Sequence, residues 1–326
     1  MEMYHRLGFI GLGAMGAPMA SNLAAKLAKD YKICIYDVSQ EAMKSFVEAH
    51  GQSVSICHSP KEVSQGTDII FTMLPEGSHV RAVYLDPVDG ILHSKISARL
   101  LLDCSTIDTE TSLAVSTAVK SRFPDVAFYD APVSGGTLGA VAASLTLMVG
   151  CSENDSNWSL VEGLLGLVGK NIIACGGPGM GLTAKLCNNY CSGLISLATA
   201  EAMNIGMRSG MDPRLLSRVF SKSTAQSTIC DKFNPVPGIC PDAPSSHGYR
   251  GGFKVQLMAK DFGLAVSTAE TVGAKLLLGT AGLEAYTKAS QSAECRDLDS
   301  RVLFRHIGGQ EDWEDDFKKS QTPVSR

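Results

Sequence analysis

The chain lacks several features that would assign it quickly. It has no surplus of positive charge: 29 Lys and Arg stand against 33 Asp and Glu, a formal net charge of −4. No basic stripe interrupts that balance, so neither nucleic acid nor an anionic membrane surface has an electrostatic reason to bind it. No apolar run approaches the roughly twenty residues that span a bilayer. There is no C-x-x-C pair and no cluster of cysteine with histidine, although the chain carries 10 cysteines. These sit singly in apolar stretches, as at Cys34, Cys57, Cys104, Cys151 and Cys175, and read as reduced, buried small hydrophobes. Cys187 and Cys191 stand at helical spacing, but no neighbouring His or Asp completes a metal site, so no metal is expected. Internal repeats and low-complexity tracts are absent. Only Met1 to Arg6 precede the first strand, which leaves no room for a signal or transit peptide in this chain. The expectation is a cytosolic protein or one whose leader has been removed.

What is present is a chain of 326 residues, 44% of them hydrophobic, long enough for a substantial core and two domains. Leu7-Gly8-Phe9-Ile10 is a short apolar strand that runs into Gly11-Leu12-Gly13-Ala14-Met15-Gly16, after which Met19, Leu23 and Leu27 repeat at helical spacing. In a strand, glycine turn and helix of this kind the three glycines have separate tasks. Gly11 makes the tight turn, Gly13 admits a pyrophosphate to the backbone, and Gly16 lets the helix pack on the strand. A second strand, Ile33 to Tyr36, ends in Asp37, where an acid bonds adenosine ribose hydroxyls and repels a 2′-phosphate; the cofactor expected is NAD rather than NADP.

The alternation continues. Ser59-Pro60-Lys61-Glu62 is a capping box with proline at the first helical position. Asp68 to Pro75 and Leu100 to Cys104 are buried strands that leave Leu74, Pro75 and Thr106 at their carboxyl ends, the edge where parallel sheets bind ligands. Val126–Tyr129, Leu145–Val149 and Asn171–Ala174 are expected to extend the same sheet. Between the first two, Ser134-Gly135-Gly136 offers a hydroxyl and bare amides, suited either to a carboxylate or to a plain hairpin loop.

After Gly176-Gly177-Pro178-Gly179 the strand signals stop. The fold class expected is an α/β Rossmann-type domain over residues 1–175, then an all-α domain over 176–326, joined by one long helix running from Gly179 to Gly210. Lys185 and Asn189 lie four apart on that helix and share a face. Asp212-Pro213 starts the next helix, and 253–272 and 280–291 read as two more. The stretch from Phe233 to Gly252 has four prolines and no period, and its aromatics favour a stiff loop. The segment from Gly308 is expected to fray.

Four segments give the chain a close resemblance to the 3-hydroxyisobutyrate dehydrogenases, in the β-hydroxyacid dehydrogenase group that includes 6-phosphogluconate dehydrogenase. They are G-L-G-A-M-G-x-x-M from Gly11, D-A-P-V-S-G-G from Asp130, G-x-x-x-K-x-x-N-N from Gly181, and A-K-D-x-x-L-A from Ala259. Thr199 to Asn204 and Asn234 to Gly238 add to it, and the likeness runs from Leu7 to about Ile307. It implies that Lys185 is catalytic, that Asn189 and Ser134-Gly135-Gly136 hold the substrate carboxylate, and that Lys260 stands beside cofactor and substrate, with Asp261 structural. It also implies that Leu74, Pro75 and Thr106 line the cofactor edge; His79 stands where relatives carry asparagine. The activity implied is NAD-dependent oxidation of 3-hydroxyisobutyrate in valine degradation, in the mitochondrial matrix. The alternatives are a reductase of tartronate or succinate semialdehyde, and a dinucleotide-binding module without chemistry. Apart from the resemblance, the long apolar helices of the second half suggest exposed hydrophobic surface that a homo-oligomer, a dimer or a tetramer, would cover.

Overall fold

Short apolar runs separated by amphipathic segments bury both faces as parallel strands with helices on either side. The computed structural model, which describes residues 6–27, 31–93 and 95–314, has that arrangement in its first half. Strands β1 (Arg6–Ile10), β2 (Lys32–Tyr36), β3 (Val54–Ile56), β4 (Ile69–Thr72), β5 (Leu100–Asp103) and β6 (Ala127–Asp130) form one sheet, ordered β3-β2-β1-β4-β5-β6 and parallel throughout. Helices α1 (Gly16–Lys26), α2 (Gln40–His50), α3 (Pro60–Gly66), α4 (Gly77–Leu85) and α5 (Thr109–Arg122) make the crossovers. The strand order reverses between β1 and β4, which opens a crevice at the carboxyl edge beside the glycine turn. At the start of α3 the capping box works: Ser59 Oγ accepts from the Glu62 amide at 3.2 Å, and the Glu62 carboxylate accepts from the His58 amide at 2.7 Å.

Two of the three runs expected to extend this sheet do not join it. β8 (Leu145–Val149) and β9 (Gly169–Ala174) build a second, three-stranded sheet with β7 (Val133–Ser134), which is antiparallel to β8. The reason is Pro132, which follows the last residues of β6 and has no amide to continue a ladder. Helices α6 (Gly136–Val141) and α7 (Trp158–Leu165) accompany this sheet. Three-residue β3 was not foreseen, because Val54-Ser55-Ile56 is too short to show a period.

The chain divides into two compact units, Met1–Lys185 and Leu186–Arg326. The division falls inside α8 (Met180–Arg208), a helix of 29 residues. The second unit continues with α9 (Pro213–Phe220), α10 (Thr228–Lys232), α11 (Val255–Thr271), α12 (Gly279–Gln291) and α13 (Leu303–His306). Asp212 caps α9 by accepting from the Arg214 amide at 2.8 Å, with Pro213 at the first helical position. Its core forms where Phe262 and Tyr286, both fully buried, meet α8: a methyl at Gly193 would lie 3.1 Å from the Phe262 ring, and the Tyr286 hydroxyl donates to the Gly193 carbonyl at 2.7 Å.

The proline-rich stretch is packed into the second unit, although Phe233 is exposed. Asn234, Val236 and Tyr249 are fully buried, the Tyr249 hydroxyl donates to the Pro235 carbonyl at 2.9 Å, and Arg301 covers the Phe233 ring at 4.9 Å. Fraying from Gly308 does not occur as far as Glu314. Trp313 is 3% exposed, donates its indole N–H to the Pro237 carbonyl at 2.9 Å and lies under the Arg214 guanidinium. One large aromatic anchors a segment that has no periodic signal. Residues 315–326 and Met1 to His5 lie outside the described residues. All ten cysteines are free, with Cys187 and Cys191 exposed rather than buried. Among the described residues no cluster of His, Cys, Asp or Glu could hold a metal, and no helix is long and apolar enough to cross a membrane.

Candidate active site

The glycine turn is built as its spacing requires. Gly11 has φ +96°, and a side chain there would run into the Met73 carbonyl; a methyl at Gly16 would run into the Gly11 carbonyl oxygen. Gly13 is different, because a methyl there would meet nothing within 4 Å. The open space lies where Ala14 and Met15 lead into α1, a helix whose amino terminus has no side-chain cap and no acid in its first turn. Uncapped amides at a helix amino terminus favour an anion. Asp37, at the end of β2, accepts from the Leu12 amide through Oδ2 at 2.6 Å and from the Ser39 amide through Oδ1 at 2.7 Å. Each oxygen keeps a further lone pair, enough for two ribose hydroxyls. The chain's residues therefore fit a dinucleotide: room for the pyrophosphate, a positive helix end for its charge, and an acid for the ribose.

Next along the edge, Leu74 leaves β4 with its amide bonded to Ser105 Oγ at 2.9 Å, and its side chain stands 3.2 Å from where a Gly11 methyl would be. Pro75 and His79 are exposed and Thr106 is half-buried. Beneath this turn lies Asp103, 1% exposed. Burial pushes its carboxyl up to about 6, against the hydrogen bonds from Ser105 and Thr72 that favour the charged form.

The Ser134-Gly135-Gly136 turn takes φ +134° and +63° at its glycines. A methyl at Gly135 would sit 3.0 Å from the Leu145 side chain. Asn22 on α1 ties the helix that follows by donating to the Ala140 carbonyl at 2.8 Å. At the end of β6, Asp130 reaches the start of α8: Oδ1 accepts from the Gly179 amide and Oδ2 from the Leu182 amide, both at 2.8 Å. Burial holds the Asp130 carboxyl above its ordinary range even so. Gly181 is required here, since a methyl would run into the Met148 carbonyl and lie 2.8 Å from Asp130 Oδ2. One turn beyond comes Lys185, only 6% exposed and so removed from the bulk water that a surface lysine prefers.

Within the second unit Asp261, 2% exposed, gathers two of the expected residues. Its Oδ2 accepts from Asn189 Nδ2 at 2.7 Å, and the Lys260 ammonium lies 3.3 Å from its Oδ1, an ion pair without hydrogen-bond alignment. Asn189 Oδ1 is taken by Asn188 at 3.1 Å, which leaves the second hydrogen of its amide for a ligand. Asp103, Ser105 and the capping role of Asp130 were not foreseen. The signal available was an acid closing each of two apolar strands, Leu100–Asp103 and Ala127–Asp130.

Known proteins resemble the chain over nearly all of the described residues. The family model of the NAD binding domain of 6-phosphogluconate dehydrogenase matches residues 6–177, and that of the NAD-binding region of NADP-dependent 3-hydroxyisobutyrate dehydrogenase matches residues 179–307. The chain is 42% identical to the mitochondrial 3-hydroxyisobutyrate dehydrogenase of Rattus norvegicus, over 94% of this chain and 88% of that one. It is 37% identical to the 3-hydroxyisobutyrate dehydrogenase of Pseudomonas aeruginosa, over 94% and 99%. Among solved structures, Mycobacterium tuberculosis 3-hydroxyisobutyrate dehydrogenase with L-serine superposes with a TM-score of 0.84 at 33% identity, covering 94% of this chain and 100% of that one.

Proposed function

The chain belongs to the 3-hydroxyisobutyrate dehydrogenase family, and from that premise we propose that it oxidises 3-hydroxyisobutyrate to methylmalonate semialdehyde with NAD, a step of valine breakdown. The observation that carries the reading is the burial of Lys185 on a helix whose first turn is bonded to Asp130, at the carboxyl edge of the nucleotide sheet.

Oxidising the alcohol removes a hydride from the carbinol carbon and a proton from its hydroxyl. NAD held at the glycine turn by Gly11 to Gly16, Asp37, Leu74, Pro75 and Thr106 supplies the hydride acceptor. The protein has to take the proton. Lys185 does so as an uncharged amine, and as an ammonium it polarises the carbonyl oxygen in the reverse direction. The family resemblance assigns the carboxylate to Ser134, Gly135 and Gly136 of the first unit and to Asn189 of the second, and a held carboxylate would fix the orientation of the alcohol. Asp261 keeps Lys260 and Asn189 in place, and Lys260 serves both cofactor and substrate. The L-serine in the Mycobacterium tuberculosis structure is itself a 3-hydroxy acid with a free carboxylate, which supports this substrate class. Asp37 supports NAD over NADP through charge repulsion of a 2′-phosphate.

Initial rates with short 3-hydroxy acids, each with NAD and with NADP, test the proposal. 3-Hydroxyisobutyrate with NAD is expected to give the highest kcat/KM. Faster reduction of tartronate or succinate semialdehyde with NADPH overturns it.

Two finer statements go with this reading. The chain forms a homo-oligomer, a dimer or tetramer: Cys187, Cys191, Ala198 and Ile205 recur at helical spacing on α8 and are all exposed, a narrow apolar stripe that another copy would cover. Sedimentation equilibrium of the wild type and Ile205→Glu reads the mass. The protein works in the mitochondrion, in the matrix by the family resemblance; the name of the Rattus norvegicus relative, which says mitochondrial, supports the organelle, and cell fractionation decides between that compartment and the cytosol.

A further inference from the structure

The carboxyl edge of the sheet holds a buried acid that the chemistry above does not use. Asp103 sits in register between Thr72 on β4 and Asp130 on β6. Its two oxygens are treated unequally. Oδ1 accepts from Thr72 Oγ1 at 2.8 Å, from Ser105 Oγ at 2.6 Å and from the Ser105 amide at 3.2 Å, while Oδ2 has no partner among the described residues.

The direction of each bond follows from counting hydrogens. A hydroxyl has one hydrogen. Thr72 spends its hydrogen on Asp103, so the Tyr84 hydroxyl, 3.0 Å from Thr72 Oγ1, has to be the donor there. Ser105 likewise spends its hydrogen on Asp103 and turns its lone pairs toward the Leu74 amide at 2.9 Å. An acceptor-only carboxylate thus sets the polarity of the whole chain from Tyr84 to Leu74. Without it the Ser105 side chain is free to turn, and the oxygen that accepts from the Leu74 amide is no longer held in place. The turn it fixes leans on the glycine turn, since Leu74 Cδ2 stands 3.2 Å from where a Gly11 methyl would be.

We propose that Asp103 is a positioning residue for the cofactor: through Ser105 it holds the Leu74–Pro75 turn against the glycine turn, and this sets the affinity for NAD. The inference rests on the reading of Leu74 and Pro75 as cofactor contacts.

The charge of Asp103 matters to this role, because an ionised acceptor binds the two hydroxyls more strongly than a protonated one. Its carboxyl is pushed up to about 6 by burial, and of the groups facing it Asp130 is the other acid, while burial keeps Tyr84 and Cys104 neutral in that range. NAD binding to the wild type is therefore expected to tighten as pH rises through 6.

The experiment is calorimetric titration of NAD into the full-length wild type, Ser105→Ala and Asp103→Asn between pH 5 and 8. Asparagine can place its carbonyl where Oδ1 was, but its amide hydrogens then find no acceptor and its charge is gone. Each variant is expected to raise the Kd for NAD about tenfold at pH 8, the worth of one net hydrogen bond. The change appears in the KM for NAD rather than in kcat, and Asp103→Asn loses the inflection near pH 6. Should Asp103→Asn fail to fold, Ser105→Ala alone carries the test, since it removes one atom. Folded variants that bind NAD within twofold of the wild type overturn the proposal, as does a loss confined to kcat. Failure of the wild type itself to bind NAD would instead overturn the reading of the edge on which the proposal rests.

Discussion

Gly181→Ala tests how tightly the position of Lys185 is tied to the nucleotide sheet. In the first turn of α8 the new methyl would run into the Met148 carbonyl, which is backbone and cannot swing aside, and would lie 2.8 Å from Asp130 Oδ2 and 3.0 Å from the Asp130 carbonyl. Restoring an ordinary carbon–oxygen separation requires the helix start to move by about 1 Å. Lys185 is four residues along the same helix and moves with it. A displacement of about 1 Å at a reacting group costs on the order of a hundredfold in rate. Stability should change less: overpacking costs about 1–3 kcal/mol, offset by about 1 kcal/mol from the better helix propensity of alanine. The assay is steady-state oxidation of 3-hydroxyisobutyrate at saturating NAD, with NAD affinity and Tm measured alongside. The expected pattern is kcat down about a hundredfold with little change in NAD Kd. Gly163→Ala is the control, because a methyl on that residue of α7 meets nothing within 4 Å and should leave kcat unchanged. A Gly181→Ala enzyme with kcat within threefold of the wild type (roughly 0.6 kcal/mol in the barrier) would refute the link between this glycine and the lysine.

Lys185→Ala removes the proposed proton acceptor and should lower kcat by about 10²–10⁴-fold while NAD Kd stays put; near-normal turnover sinks the assignment. Asp37→Ser should weaken NAD by roughly tenfold to a hundredfold, as the loss of a charged hydrogen bond does, and raise kcat/KM for NADP relative to NAD; an unchanged cofactor ratio shows that the acid does not select. Asp103 gives a pH prediction for stability. Its carboxyl stands at about 6 in the fold, raised from 3.8 by burial, so the stability it contributes is full below the unfolded value and is lost as pH rises through 6. Urea unfolding of the wild type relative to Asp103→Asn should therefore lose on the order of 3 kcal/mol between pH 4 and pH 7, and a difference that stays flat across that window contradicts the burial argument.

The sequence alone was enough for those parts of the protein whose physics is local. A glycine that must take positive φ at Gly11, a capping box at Ser59, a proline at the first position of α9 and an acid at the end of β2 are each dictated by neighbours a few residues away, and all are present in the fold. The pairing of Lys185 with Asn189 on one helix face is equally local, a matter of 3.6 residues per turn. Sheet membership is not local. The apolar runs at 145–149 and 171–174 look like those of the main sheet, and only the break at Pro132 and the pairing with β7 put them in another. Trp313 packs against a loop some 76 residues earlier, which no period announces. The two buried acids show the same limit. Asp103 and Asp130 read as ordinary strand ends, and what separates them from surface acids is that parallel register sets them side by side and takes both out of water, one under the Leu74 turn and one at the amino terminus of α8. Propensity and spacing follow from the chain's own neighbours, whereas desolvation and the choice of hydrogen-bond partner exist only once distant strands have met.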